Sequence, residues 1–278
     1  MSRSKAPASP SPIFKIQDAD RFLLDDNFIE EFKTKEPKWG PVGKVAYVRT
    51  YARELRHEEL VQFLMRDMKM DRKAAKIEAR KVKSKREEFW QTARRVVEFT
   101  RTVFKRQAAL NNHAWDAEEA QHKAQEMFQR LWDFKWLPSG RGMQFAGTPV
   151  VEIKGGAVLN SCGFVSTENP QTEFAEPFCR FMDFLMLGVG MGSDVRGAGP
   201  IIIQAPAEPP LTFIVEDTRE GWVAAVRGQL NSFFKGTNRL SFDFSRIRKE
   251  GAPLKTLGGT SSGHAPLARL LNAIELIL

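Results

Sequence analysis

A cysteine between small polar residues and a short apolar run, Leu159-Asn-Ser-Cys-Gly-Phe-Val165, is where this chain most clearly offers chemistry. A thiolate can act as nucleophile, metal ligand or half of a disulfide, whereas a lone cysteine commonly serves as a small buried hydrophobe. Only Cys162 and Cys179 occur, too few for a disulfide framework, and a reducing cytoplasm is the expected location. Glycine clusters stand nearby. Gly188-Val-Gly-Met-Gly192 follows a helical pattern rather than a strand, and it lacks the Gly-Lys-Ser/Thr of a Walker loop. Helix termination and tight packing explain it as well as ligand contact does. Gly258-Gly-Thr-Ser-Ser-Gly263 precedes a helix, so its amides and hydroxyls either form a turn or receive an anion. His57, His113, His122 and His264 show no ligand spacing and no CxxC accompanies them, so no metal site is expected. There is no G-x-S-x-G elbow for a serine hydrolase. Nothing in the sequence ties Cys162 to His264 as a thiol–base pair.

The elements that must carry these residues change character along the chain. The first half reads as helical. Asp18 to Lys33 repeats Phe22, Leu23, Phe28, Ile29 and Phe32; a second periodic stretch runs from about Glu54 through a basic segment. Glu87 to Phe104 and Trp115 to Trp136 follow at helical spacing, their aromatics best placed in a core. Pro138-Ser-Gly-Arg-Gly breaks the pattern. Beyond it, strands are expected at Phe164-Val165, Leu211–Val215 and Leu240–Phe244, and helices over Thr172–Leu187 and Pro266–Leu278. Asp217-Thr-Arg-Glu220 has the form of a capping box opening a further helix with Trp222, Val226, Leu230 and Phe233. The expected organisation is a variable, disordered tail over 1–25, a helical domain over 26–137 with a basic charged helix near 66–86, and an α/β region over 138–278. The last helix runs out in Glu-Leu-Ile-Leu278 without a glycine or asparagine cap, so the chain is expected to be a piece of something longer.

At 278 residues, 42% hydrophobic and 27% charged, the chain has the composition of a globular protein. No run approaches the roughly 18 apolar residues of a membrane span, and the Ser/Pro-rich start lacks the apolar centre of a secretory signal. The net charge of +8 raises a nucleic-acid partner as one reading. Much of that charge lies between Arg66 and Arg86, interleaved with Asp67, Asp71 and Glu78, the pattern of a solvated helix. Aromatics lie largely outside the run, so a base-stacking platform is missing.

Taken in order, the blocks resemble the N-terminal part of class II ribonucleotide reductases, the adenosylcobalamin-dependent ribonucleoside-triphosphate reductases. The resemblance begins at Trp39-Gly and Tyr47-Val-Arg-Thr-Tyr-Ala-Arg53, resumes at Thr92-Ala-Arg-Arg-Val-Val-Glu98, and runs from Pro138-Ser-Gly-Arg-Gly-Met143 and Ala146-Gly-Thr-Pro149 to the end; it is weak over about 56–85 and absent over 1–25. It implies a helical domain followed by the first part of a ten-stranded α/β barrel. It also implies radical chemistry, in which adenosylcobalamin generates a thiyl radical that removes the ribose 3′ hydrogen and the 2′ hydroxyl leaves as water. Two further cysteines supply the electrons and become a disulfide. By motif match Cys162 is the first of that reducing pair, and Thr148, Ser161 and Gly188 match substrate contacts. The thiyl cysteine, the second reducing thiol, a general base and most cobalamin-binding residues are expected outside this chain, in a C-terminal portion or complementary subunit. The implied partners are a ribonucleoside triphosphate (a diphosphate less so), a deoxynucleotide effector and a thioredoxin-like dithiol. The spacers between Cys162 and Gly188 and between Gly192 and Asp217 are shorter than in the monomeric reductases, which leaves effector binding unassigned. Cys179 matches no family cysteine and is expected to pack. The competing reading is a basic nucleic-acid-associated protein carrying a degenerate reductase segment.

Overall fold

The computed structural model describes residues 16–55, 57–82, 85–196, 202–254 and 259–278. The chain divides into two compact units, Met1–Leu159 and Asn160–Leu278.

The first unit is helical: α1 (Asp26–Lys33), α2 (Gly43–Thr50), α3 (His57–Arg66), α4 (Arg72–Lys81), α5 (Phe89–Leu110), α6 (Ala117–Trp132), α7 (Gly140–Phe145) and α8 (Pro149–Lys154). The longest helix, α5, opens with a reciprocal capping box in which Glu88 bonds the Gln91 backbone and the Gln91 side chain bonds the Glu88 backbone. It ends at Asn111-Asn112, where Asn112 takes the left-handed conformation (φ 55°) that asparagine tolerates. Asp116 then caps α6 by accepting from the Glu119 amide at 2.9 Å. The apolar faces of α1 and α6 meet through rings: Phe32 lies 4.7 Å from Phe128 and 5.0 Å from Trp132, and Phe28 packs edge-on to Phe128 at 5.5 Å.

Ahead of α1, residues 21–25 lack regular structure yet are tied down. The Phe22 and Leu24 amides donate to Thr102 Oγ1 (2.9 Å) and Glu98 Oε1 (3.0 Å) on α5, and Gln121 of α6 donates to the Leu23 carbonyl at 2.7 Å. Phe22 and Leu24 are buried. Of the tail expected over 1–25, residues 1–15 lie outside the described residues, while 16–25 belong to this unit because Phe22 and Leu24 supply apolar surface that α5 can bury.

The basic stretch forms two helices where the periodicity predicts one. The chain turns between α3 and α4 with Lys69 at φ 54°, and Asp71 caps α4 by accepting from the Lys73 and Ala74 amides. Leu60, Val61 and Leu64 close on Ala75 and Ala79 as a small core of their own. Arg56 and Lys83 lie outside the described residues.

The second unit alternates strands and helices: β1 (Cys162–Val165), α9 (Pro170–Glu173), α10 (Glu176–Met186), β2 (Gly190–Ser193), β3 (Ala207–Ile214), α11 (Arg219–Phe234), β4 (Asn238–Asp243) and α12 (Ala265–Ile277). β1 pairs with β2 and β3 with β4, both parallel. Parallel neighbours need a crossover, supplied by α9–α10 in the first pair and α11 in the second. The result is a mixed α/β protein, mostly helical, with small parallel sheets. Cys179 of α10, Val223, Val226 and Leu230 of α11, and Leu267 and Leu271 of α12 share one core with Val215. Gly228 lets α11 sit close on β4, since a Cβ there would lie 2.6 Å from Leu240 Cδ1.

Three local expectations change. The helix expected over Thr172–Leu187 is split at Phe174, whose φ of 51° no continuous helix accommodates. The cap of α11 is Thr218, which accepts from the Gly221 amide at 3.0 Å; Asp217, read as the capping residue, instead pairs with Arg248 at 2.6 Å. β3 starts four residues early, and its register slips between Ala207 and Leu211 across Pro209-Pro210, where neither residue has an N–H for the ladder.

Candidate functional site

Cys162 is the first residue of β1 and stands opposite Gly190 of β2, with Gly163, Phe164 and Val165 opposite Met191, Gly192 and Ser193. Side chains alternate along a strand, so Cys162, Phe164, Gly190 and Gly192 share one face. On it the thiol and the Phe164 ring are exposed, above a backbone without side chains at 190 and 192. The opposite face is crowded: a Cβ on Gly163 would lie 2.6 Å from Met191 Sδ. Gly188 has φ 78° and ends α10, its amide donating to Leu185 O at 2.8 Å. Buried Val189 then turns the chain so that the Gly190 amide donates to Ser161 O at 2.9 Å. Ser161, Cys162 and Gly188 are thus gathered at the start of the β1–β2 pair.

At the other end of the pair, Asp194 accepts from Ser166 Oγ (2.8 Å), the Thr167 amide (2.8 Å) and Thr167 Oγ1 (3.1 Å). The Thr167 amide is the strongest influence holding this carboxyl below the usual carboxylate range; slight desolvation opposes it, and bonds from Ser166, Arg196 and the Thr167 hydroxyl add to it.

The two thiols differ in kind. Cys179 is 1% exposed, with its sulfur 3.9 Å from Val223 O. Burial, with Glu176 and Asp183 adding and Arg227 opposing, pushes its thiol up to about 11. This is a packing cysteine, as expected. Native protein at pH 8 is therefore expected to take up one equivalent of iodoacetamide, on Cys162, with Cys179 modified only on unfolding; peptide mass mapping decides, and rapid native labelling of Cys179 would contradict the assignment.

Thr148 belongs to the first unit. It precedes α8, is 1% exposed, and its hydroxyl donates to Phe145 O at 2.8 Å, so it is buried in its own turn. The turn before it is held from α5. Arg95 donates from Nη2 to Met143 O at 2.8 Å and from Nη1 to Ala146 O, while its Nε and Nη2 grip both oxygens of Glu87 at 2.8 and 2.9 Å. Gly147 is required at the crossing: it has φ 71°, and a Cβ would lie 2.9 Å from the Arg95 carbonyl oxygen. Glu87 is also bonded by Arg53 Nη1 (3.2 Å) and Thr92 Oγ1 (2.9 Å), and Tyr47 joins Thr92 at 2.9 Å. The blocks Tyr47–Arg53, Thr92–Glu98 and Ala146–Pro149 therefore meet in one buried network. Sequence reading singled out each block but missed Glu87 and Arg95 as their junction; the only signal was the Arg94-Arg95 pair among the apolar residues of the first turns of α5.

The cleft beside this network, about 470 Å³, is lined by Arg53, Glu87, Arg94, Arg95, Glu98 and Gly147 among others. Its size suits a drug-sized ligand (about 300–1,000 Å³) rather than a corrin carrying a nucleotide, and its charged wall is occupied by its own ion pairs. This cleft does not fit adenosylcobalamin. Nor do the described residues hold a cluster of three or more His, Cys, Asp or Glu suited to a metal, and no described helix is long and apolar enough to cross a membrane. Residues 255–258 lie outside the described residues. In the rest of the Gly258–Gly263 loop, the Ser261 amide and carbonyl bond Ala252 O and the Gly251 amide at 2.7 and 2.8 Å, and Ser261 Oγ accepts from the Gly263 amide, the bonding of a structural turn.

Comparison with known proteins adds ancestry to this geometry. Residues 71–148 match a family model described as the ribonucleotide reductase alpha domain, and residues 204–278 match one described as the insertion domain of B12-dependent ribonucleotide reductase. The adenosylcobalamin-dependent ribonucleoside-triphosphate reductase of Euglena gracilis is 37% identical over 270 residues, covering 95% of this chain and 34% of that protein. The enzyme of the same name from Levilactobacillus brevis is 26% identical over 301 residues, covering 87% of this chain and 36% of its own. A crystal structure of a B12-dependent (class II) ribonucleotide reductase shares the fold with a TM-score of 0.70 at 23% identity, over 90% of this chain and 39% of that one. The chain thus spans about a third of the length of the relatives it matches. The insertion-domain match was not foreseen from the sequence, which gave the whole of 138–278 to the barrel. Two reductase domain models in order and similarity along nearly the whole sequence agree, and on them the chain belongs to the class II, adenosylcobalamin-dependent ribonucleotide reductase family.

Proposed function

We propose that this chain is the N-terminal portion of a ribonucleoside-triphosphate reductase and that Cys162 is the first thiol of its reducing pair. The observation that carries the reading is the exposed Cys162 at the head of a parallel strand pair, on the face where β2 presents only Gly190 and Gly192, which leaves room for a ribose or a second thiol. The reaction balances as ribonucleotide plus two thiols giving 2′-deoxyribonucleotide, one disulfide and water. The thiols lose two electrons and two protons, and the 2′ C–O bond is cleaved. Adenosylcobalamin, when bound to the whole enzyme, supplies the initiating radical; no step is assigned to it on the residues of this chain. Ser161 and Gly188, beside Cys162, are the proposed substrate contacts in the second unit. Thr148, buried, contributes the shape of its turn. The insertion-domain match favours placing the opening of the ten-stranded barrel in β1–α10–β2 and giving β3–α11–β4 to an insertion. Deoxynucleotide effectors and a thioredoxin-like dithiol complete the proposed partners.

The test uses the native polypeptide that carries this sequence, captured from its host by an N-terminal tag and weighed intact. That polypeptide is expected to exceed the 31.5 kDa of these residues and to make deoxynucleotides from ribonucleoside triphosphates with adenosylcobalamin and a dithiol, whereas the 278-residue chain alone makes none. Failure of the captured protein to form deoxynucleotide overturns the proposal. The alternative, a basic nucleic-acid-associated protein, rests on the basic run, part of which is paired within the fold. In the basic run Lys69 pairs with Asp26, Arg72 with Glu58 and Lys81 with Glu78, and Lys85 covers the Phe63 ring.

A further inference from the structure

We infer that Asp194 is a positioning residue for the Cys162 thiol: it fixes the β1–β2 register that sets Cys162 opposite Gly190. This rests on the reading of Cys162 as a reducing thiol. β1 and β2 share only four register pairs, Cys162↔Gly190 through Val165↔Ser193. A two-stranded sheet of this length has little stability of its own. A slip of one residue would set Cys162 opposite Val189 or Met191 and invert which faces meet. At its head the pair is joined by the Gly190 amide to Ser161 O, a bond between backbone groups that any sequence can make.

The tail is closed by side chains. Asp194, the residue after Ser193, takes Ser166 Oγ on Oδ2 and both the amide and hydroxyl of Thr167 on Oδ1, and its own carbonyl accepts from Thr167 Oγ1 at 2.9 Å. Ser166 Oγ in turn accepts from the Glu168 amide at 3.2 Å, which orients its proton toward Asp194. Arg196 closes on the outer side of the carboxylate at 2.8 Å and reaches Glu168 at 3.8 Å. A carboxylate is needed here because two acceptor oxygens must serve three donors from Ser166 and Thr167, and these donors lie in register only when Ser166 stands beside Asp194. The latch is about four residues, roughly 13 Å at 3.3 Å per residue, from Cys162. It touches neither thiol nor substrate and acts through strand register alone.

The experiment compares wild type, Asp194→Ala and Asp194→Asn. In the 278-residue chain, hydrogen exchange of peptides spanning 162–167 and 189–194 and the rate of Cys162 alkylation are read; in the native polypeptide, kcat and KM for the ribonucleotide are read. Asp194→Ala is expected to speed exchange in both peptides at least about tenfold and to change the alkylation rate at least threefold. It is also expected to lower kcat about 10²-fold, the scale of a small misplacement of a reacting group, with KM nearly unchanged. Asp194→Asn, isosteric but with a single acceptor oxygen for these donors, is expected to recover only part of the exchange protection and to serve as the folded comparison should the alanine variant unfold. Unchanged exchange and alkylation in a folded Asp194→Ala chain overturn the inference even if turnover falls. A native polypeptide in which Cys162→Ser keeps full turnover overturns the reading of Cys162 instead, and leaves the exchange data to judge the latch.

Discussion

Cys162→Ser in the native polypeptide is expected to reduce sustained deoxynucleotide formation at least about 10³-fold, a rise of roughly 4 kcal/mol in the barrier at 1.36 kcal/mol per decade. Serine keeps the size and polarity of the side chain, and position 162 is exposed at the start of a strand. The fold should therefore be unaffected, with a stability change within about 0.5 kcal/mol. What serine cannot do is give up an electron pair to form a disulfide, so no turnover that depends on thiol oxidation survives. The measurement is deoxynucleotide formed per polypeptide over many turnovers with a dithiol reductant, with a thermal melt of each protein alongside. Retained multiple turnover in Cys162→Ser would falsify the assignment. The matched control is Cys179→Ala, whose buried sulfur packs against α11 and whose loss is expected to lower stability while leaving kcat in place.

The largest stability effect is expected at Glu87. This side chain is 4% exposed and carries the only carboxylate shared by Arg53 and Arg95 among the described ion pairs. Glu87→Ala leaves two guanidiniums and the Thr92 hydroxyl facing an empty buried volume. Removing one partner of a buried pair typically costs about 3–5 kcal/mol, a large part of the roughly 5–15 kcal/mol that holds a domain folded. Urea titration of the full chain followed by tryptophan fluorescence checks it, since five of the six tryptophans (39, 90, 115, 132 and 136) lie in the first unit. The pH dependence has a definite sign. Burial alone would raise the Glu87 carboxyl, but the charge and hydrogen bonds of Arg95, then Arg53 and Thr92, outweigh it and hold it below the ordinary value. A carboxyl lowered by folding contributes stability that is complete above the unfolded value, near pH 4.3 for glutamate, and that is lost as pH falls through the folded value. Wild type should therefore lose stability more steeply than Glu87→Gln as pH drops below about 4. Parallel pH profiles would remove Glu87 as the source.

Periodicity and motif order made much of this legible. The aromatic spacing of α1, α5 and α6 places their cores, and the Phe178/Phe181/Met182 face of α10 correctly commits Cys179 to packing. The strands at Phe164-Val165 and Leu240–Phe244 were readable because two-residue alternation and flanking glycines bound them. The misses have local causes. Asp217 and Thr218 are both good caps, and the choice between them was made by Arg248, distant in sequence and waiting to pair with Asp217. The interruption at Phe174 rests on a left-handed residue that is not glycine, which leaves no compositional mark. The α3–α4 turn fell inside a charged run where apolar spacing is sparse. At the candidate site, Cys162, Ser161 and Gly188 were visible as motif residues and are adjacent in the fold. Asp194 and Arg95 were not visible, because positioning residues are recognised by what they hold, and that is known only once strands and turns are paired.

The docked segment at residues 21–25 has a consequence for how the molecule is made. It leaves the ribosome well before its partners, Glu98 and Thr102 on α5, Gln121 on α6 and Glu152 on α8, which arrive up to 131 residues later. The β1–β2 pair, by contrast, closes over 28 positions and can form soon after it emerges, as contacts of short span do. Vectorial synthesis thus leaves Phe22 and Leu24 exposed until α5 has been made. At the common elongation rate of about 5–20 residues per second, that interval lasts several seconds, and it is the period in which this chain is most open to a chaperone.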